Sequence, residues 1–131
     1  MADESKVYAL VLGKVIAALR ERGRMSQAEL AARIGVGQSS LSRFETGTSL
    51  PDAFVFRRLA QAFGMTVGQL QAVVDRAYAQ TRQTAQQAAP APSGEAQWWQ
   101  AALGVAGLVG LAALAAFAVA AAVSQVEEDD E

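Results

Sequence analysis

Between Glu95 and Glu127 the chain carries no charged residue, and the heart of that stretch reads WWQAALGVAGLVGLAALAAFAVAAAV. About 20 apolar residues rising 1.5 Å each suffice to cross the hydrocarbon core of a bilayer. Residues 97–124 are therefore expected to form a transmembrane helix. Trp98 and Trp99 stand where the run begins, as aromatic residues do at a bilayer interface. Leu103, Val105, Leu108, Val109, Leu111, Leu114, Phe117, Val119 and Val123 carry the insertion energy, about −4 kcal/mol in total at −0.3 to −0.6 kcal/mol each. The alternative for this segment is an alanine-rich helix packed on the rest of the chain or on itself.

The charges divide in the same place. All 11 Lys and Arg residues lie at or before Arg82, against 7 of the 13 acids, so that part carries +4 and the remainder −6. Cytoplasmic flanks retain cations, and the far side of the span offers only Glu127, Glu128, Asp129, Asp130 and Glu131. The expected topology is a single pass in the inner (cytoplasmic) membrane, with residues 1–82 as a cytoplasmic head and 125–131 as an acidic tail. Acids in Met1-Ala-Asp-Glu-Ser stand where a signal peptide has basic residues. The absence of Cys and His removes thiol chemistry, Cys/His metal sites and the usual near-neutral proton shuttle. Neither a phosphate-cradling glycine loop nor a paired-acid arrangement appears, so no enzyme is expected, and no cofactor or metal.

Within the head the apolar positions follow helical spacing throughout, and no run alternates with a strand period. Val7, Leu10, Val11, Val15, Ile16 and Leu19 mark a first helix from Ser5 to Arg22, ended by Gly23. Ser26-x-x-Glu29 is a capping box that opens a second helix through Ile34. A third is expected from Gln38 to Glu45, closed by Thr46-Gly47. Pro51 fits the first position of a fourth helix that reaches Gly64, and Thr66-x-x-Gln69 opens a fifth with Val67, Leu70, Val73, Val74 and Tyr78. Residues 83–96, broken by Pro90, Pro92 and Gly94, read as an Ala/Gln/Pro linker whose first half can prolong the fifth helix.

The most specific local signal is SQAELAARIGVGQSSLSRFETG, residues 26–47. Two short helices joined by a tight turn need a small residue in the first and a glycine at the corner. Ala31 and Gly35 stand there, and Leu30, Ile34, Leu41 and Phe44 supply buried faces. These residues resemble the Cro/repressor-type helix-turn-helix (XRE) family, with the likeness running from about Leu12 to Val74. The resemblance implies an all-α fold, a five-helix Cro/repressor-like bundle followed here by a single transmembrane helix. It also implies a head that binds double-stranded operator DNA as a dimer, with the third helix in the major groove.

Carried over residue by residue, the resemblance assigns Gln27 and Ser40 to phosphate contacts and Gln38 and Ser39 to base edges. Arg43 stands one turn further along the exposed face, where it can pair with guanine. Thr46, Gly47 and Thr48 fall in a loop that approaches the backbone, and Arg20 and Glu45 form a structural ion pair. Arg57 and Arg58 are read as a solvated face. In the span, Ala102, Ala106 and Gly110 make a smooth stripe of the kind that lets two helices approach in lipid, although alanine is abundant enough here for stripes to arise by chance. The expected protein is a membrane-tethered, sequence-specific transcriptional regulator, with homodimerisation through the span or the head. The layout also resembles RodZ-type cell-shape proteins, whose similar head binds a cytoplasmic protein. An adaptor that is anchored in the membrane is therefore the competing reading.

Overall fold

The computed structural model describes residues 4–88 and Val119. Five helices follow one another: α1 Glu4–Arg22, α2 Gln27–Ile34, α3 Gln38–Thr46, α4 Ala53–Ala62 and α5 Val67–Ala88. The starts of α2, α4 and α5 are set by side chains that satisfy N–H groups left unpaired in a first turn, whereas α3 follows Gly37 with no side-chain cap. At α2 the Ser26 hydroxyl accepts from Glu29 N at 3.1 Å and the Glu29 carboxylate accepts from Ser26 N at 3.4 Å. Thr66 and Gln69 exchange the same pair of bonds at 3.1 and 2.9 Å before α5.

The start of α4 departs from the expectation. Asp52, rather than Pro51, governs it: the Asp52 carboxylate accepts from Val55 N at 2.8 Å, so Asp52 is the cap and Pro51 lies outside the helix. Helix α1 ends at Arg22 with Gly23 after it, as expected. Gly35, Gly47 and Gly64 take left-handed backbone angles, and after α1 the residue at positive φ is Arg24 (56°). Helix α5 continues through Gln83 to Ala88, which the alanine and glutamine content of that stretch permits.

Helix α1 forms the axis, packing on α3 along one side and on α5 along another, while α2 lies against α3 and α4. Its buried residues are spread widely around the helix, Val7 and Val11 on one side, Val15 and Leu19 on the next, Ile16 beyond them. They meet Leu30 and Ile34 of α2, Leu41 of α3, Leu59 of α4 and Leu70, Val73, Val74 and Ala77 of α5. Each fully buried aliphatic side chain contributes about 1.5–3 kcal/mol. Phe44, expected among the buried faces, is only half-buried at the edge of this cluster. At the open end Tyr8 and Tyr78 meet edge to face, with ring centroids 5.4 Å apart. Gln71 donates to the Tyr8 hydroxyl at 2.8 Å, and the Tyr78 hydroxyl donates to Glu4. Burial, and then that bond to Glu4, pushes the Tyr78 hydroxyl above the ordinary tyrosine range.

Among the described residues no helix is long and apolar enough to cross a membrane. The expected span 97–124 lies outside the described residues except for Val119, and so do residues 89–96 and the acidic tail. Val119 itself is helical, 2% exposed, and belongs to the same apolar cluster as α1 and α5.

The backbones of α1 and α3 approach closely at Gly13. A Cβ at Gly13 would stand 2.4 Å from the Phe44 carbonyl oxygen and 2.6 Å from that of Glu45. These are rigid helix atoms that cannot yield as a flexible side chain would. The substitution Gly13→Ala is expected to cost at least about 3 kcal/mol, beyond the usual range for overpacking, as measured by chemical denaturation of the head.

Candidate nucleic-acid interface

The corner between α2 and α3 is built by Gly35 at φ 75°, whose N–H returns to the α2 carbonyls, and by Val36 N donating to Ala31 O at 3.0 Å. Ala31 is buried where the helices cross, and Leu30, Ile34 and Leu41 are buried beside it. With one edge of α3 committed inward through Leu41 and Glu45, the register fixes which side chains face out. Gln38, Ser42 and Thr46 make one row at four-residue spacing, and Ser39 and Arg43 a second row beside it.

Of the residues assigned from sequence, Gln38, Ser39, Arg43, Thr46 and Thr48 are exposed and Ser40 is half-buried. Several touch one another. Arg43 Nη2 donates to Ser40 Oγ at 3.3 Å, the Thr46 hydroxyl donates to Arg43 O at 3.3 Å, and the Thr46 and Thr48 hydroxyls lie 2.9 Å apart. These contacts hold the guanidinium against α3 and order the turn after it. Ser42 escaped the sequence reading. It stands between Gln38 and Thr46 in the outward row, and counting four residues from either would have found it.

Arg20 and Glu45 meet in a two-point bridge, Nε to Oε2 at 2.7 Å and Nη2 to Oε1 at 3.2 Å. Arg20 Nη1 also donates to Met25 O at 2.9 Å. One guanidinium thereby joins α1, the α1–α2 turn and α3. Its hydrogen bond with Glu45 holds it above the ordinary arginine value, against the opposing effect of burial. Gln27, half-buried at the start of α2, donates its Nε2 to Glu45 Oε1 at 3.0 Å. What the start of α2 still offers an anion is its positive helix end.

The interface is thinly charged. Arg43 is the single cation of α3, and Arg20 is neutralised by Glu45. Arg58, read from sequence as a solvated charge, is exposed, and its guanidinium lies over the Phe54 ring at 5.1 Å. The face can donate and accept hydrogen bonds through amides, hydroxyls and one guanidinium, and it carries no large apolar side chain.

Residues 11–73, from within α1 to the middle of α5, match a family described as helix-turn-helix domain. The chain thus carries a helix-turn-helix domain within an all-α bundle of five described helices. No curated protein matches the chain, and no solved structure matches it.

Proposed function

We propose that the head is a sequence-specific, double-stranded DNA-binding regulator that inserts α3 into the major groove. The observation that carries this reading is the outward face of α3. Gln38, Ser39, Ser42 and Arg43 line it without an apolar interruption, on a helix held by its opposite edge. A major groove about 12 Å wide admits one helix, and amide and guanidinium groups can pair two-pronged with adenine and guanine edges. One cation on α3 gives little purchase on phosphates, so non-specific affinity should be weak, about 10⁻⁴–10⁻⁶ M at physiological salt. Base contacts then supply most of the discrimination, and a dimer bridging two half-sites about 34 Å apart would supply the remaining affinity.

In this proposal the C-terminal apolar segment tethers the regulator to the inner membrane as a single pass, with the head in the cytoplasm. The small-residue stripe there would serve dimerisation. Val119, buried with the head's apolar cluster, supports a second reading of that segment, in which it folds back on the head. A second reading of the head also has an observation behind it. Phe54 is 62% exposed and Leu50 48% exposed, large apolar side chains at the surface that suit a protein partner and the adaptor role.

Duplexes selected from a random pool at low salt by the full chain should share a sequence. Arg43→Ala and Gln38→Ala should each weaken binding to it by about 1–3 kcal/mol in gel-shift titrations and relax the preference at one position. Absence of any shared sequence removes the regulatory reading and favours the adaptor. Retention of the chain in vesicles after alkaline carbonate washing is the expected result for a tether; complete release assigns the segment to the head.

A further inference from the structure

A cleft of about 440 Å³ opens on the bundle between the end of α1, the end of α2 and the α4–α5 corner. That volume falls within the range of small-molecule sites. Leu19, Met25, Phe63 and Met65 supply apolar lining, and three arginines stand with them: Arg22 from α1, Arg33 from α2 and Arg76 from α5. Among the described lining residues there is no carboxylate. Arg33 and Arg76 make no hydrogen bond or ion pair with any described residue, whereas Arg20, Arg43 and Arg58 are each engaged by a neighbour.

Two of the three lining cations have an ordinary explanation, because Arg22 and Arg33 stand in last helical turns, where carbonyl ends favour positive charge. Arg76 does not. It sits in the middle of α5, half-buried, with the helix running on to Ala88. Arg33 and Arg76, like charges on one concavity, repel one another, and an anion placed between them reverses the sign of each interaction. Guanidinium forks suit carboxylate and phosphate oxygens in particular, while the apolar lining offers nothing to a purely hydrophilic ion.

The geometry points to a binding site for a small amphipathic anion, a carboxylate or phosphate group carrying an apolar body. The charged group would lie between Arg33 and Arg76 and the body against Met25, Phe63 and Met65. No residue of α3 lines the cleft, so this inference holds whichever macromolecule the outward face of α3 meets.

Two methionines give a site-specific readout, since Met25 and Met65 line the cleft. The full chain, labelled at its methionine methyl groups and held in non-ionic detergent, is titrated with phenyl phosphate and followed by NMR. The expected result is joint, saturable movement of the Met25 and Met65 methyl signals. Benzyl alcohol, which lacks the charge, and inorganic phosphate, which lacks the body, should leave both in place. Arg33→Gln and Arg76→Gln, both at positions with solvent exposure, should each weaken phenyl phosphate by about tenfold, the scale of one lost charge-assisted hydrogen bond. Dihexanoylphosphatidic acid separates the sources of such an anion. Tighter binding than phenyl phosphate assigns the site to a lipid headgroup, and weaker binding to a soluble metabolite; both uphold the site. Unmoved Met25 and Met65 signals, equal movement with benzyl alcohol, or undiminished binding by the two variants would overturn it.

Discussion

The backbone contact between α1 and α3 is the constraint on which the rest of the structure rests. Gly13 lets the carbonyl oxygens of Phe44 and Glu45 come closer than any Cβ would allow, and Gly47, at φ 77°, lets the end of α3 turn against Leu10. Once the helices are that near, Arg20 reaches Glu45 with two nitrogens and the Met25 carbonyl with a third. The pair is nearly enclosed, with side chains 14% and 7% exposed. A bridge so placed costs desolvation as well as gaining attraction, so its clearest contribution is to orientation. It fixes the rotation of α3 about its own axis, and that rotation decides which side chains meet a partner.

Features governed by near neighbours in the chain were legible from sequence. The Ser26/Glu29 and Thr66/Gln69 caps, the Gly35 corner and the helical periods each depend on residues within one or two turns. What escaped depends on parts distant in the chain. Nothing near Gly13 announces that α3 will lie across it, because its neighbours come from residues 44 and 45. Gln27 stands at the expected helix start, and its bond to Glu45, which tertiary packing brings close, has no signal in the chain around it. Pro51 and Asp52 both favour a helix start, and only the bond to Val55 N decides between them. Arg24 takes the left-handed angle because the closing bonds, Arg24 N to Glu21 O at 3.0 Å and Met25 N to Arg20 O at 3.1 Å, place that position one residue past Gly23. The ion pair of Arg20 with Glu45 came from family resemblance, since no spacing rule links residues 25 apart.

The charge distribution gives the proposed function its character. A head of +4 has most of its cations away from α3, with Arg22, Arg33 and Arg76 around the cleft and Arg58 stacked on Phe54. A weak electrostatic grip makes affinity depend on base contacts and on having two heads together. Tethering both heads to one surface would raise the effective concentration of the second for its half-site without any new contact. If the C-terminal segment instead covers the head, as the burial of Val119 suggests for that residue, the dimer must come from the head itself.

The central claim is that α3 reads base edges in the major groove, and dimethyl sulfate protection on a duplex selected by the full chain tests it most directly. The reagent attacks guanine N7 in the major groove and adenine N3 in the minor groove, so a single experiment reports on both. The account predicts protected guanine N7 positions in two clusters one helical turn apart, with adenine N3 left reactive. Protection confined to adenine N3, or none on any duplex the protein retains, would contradict it.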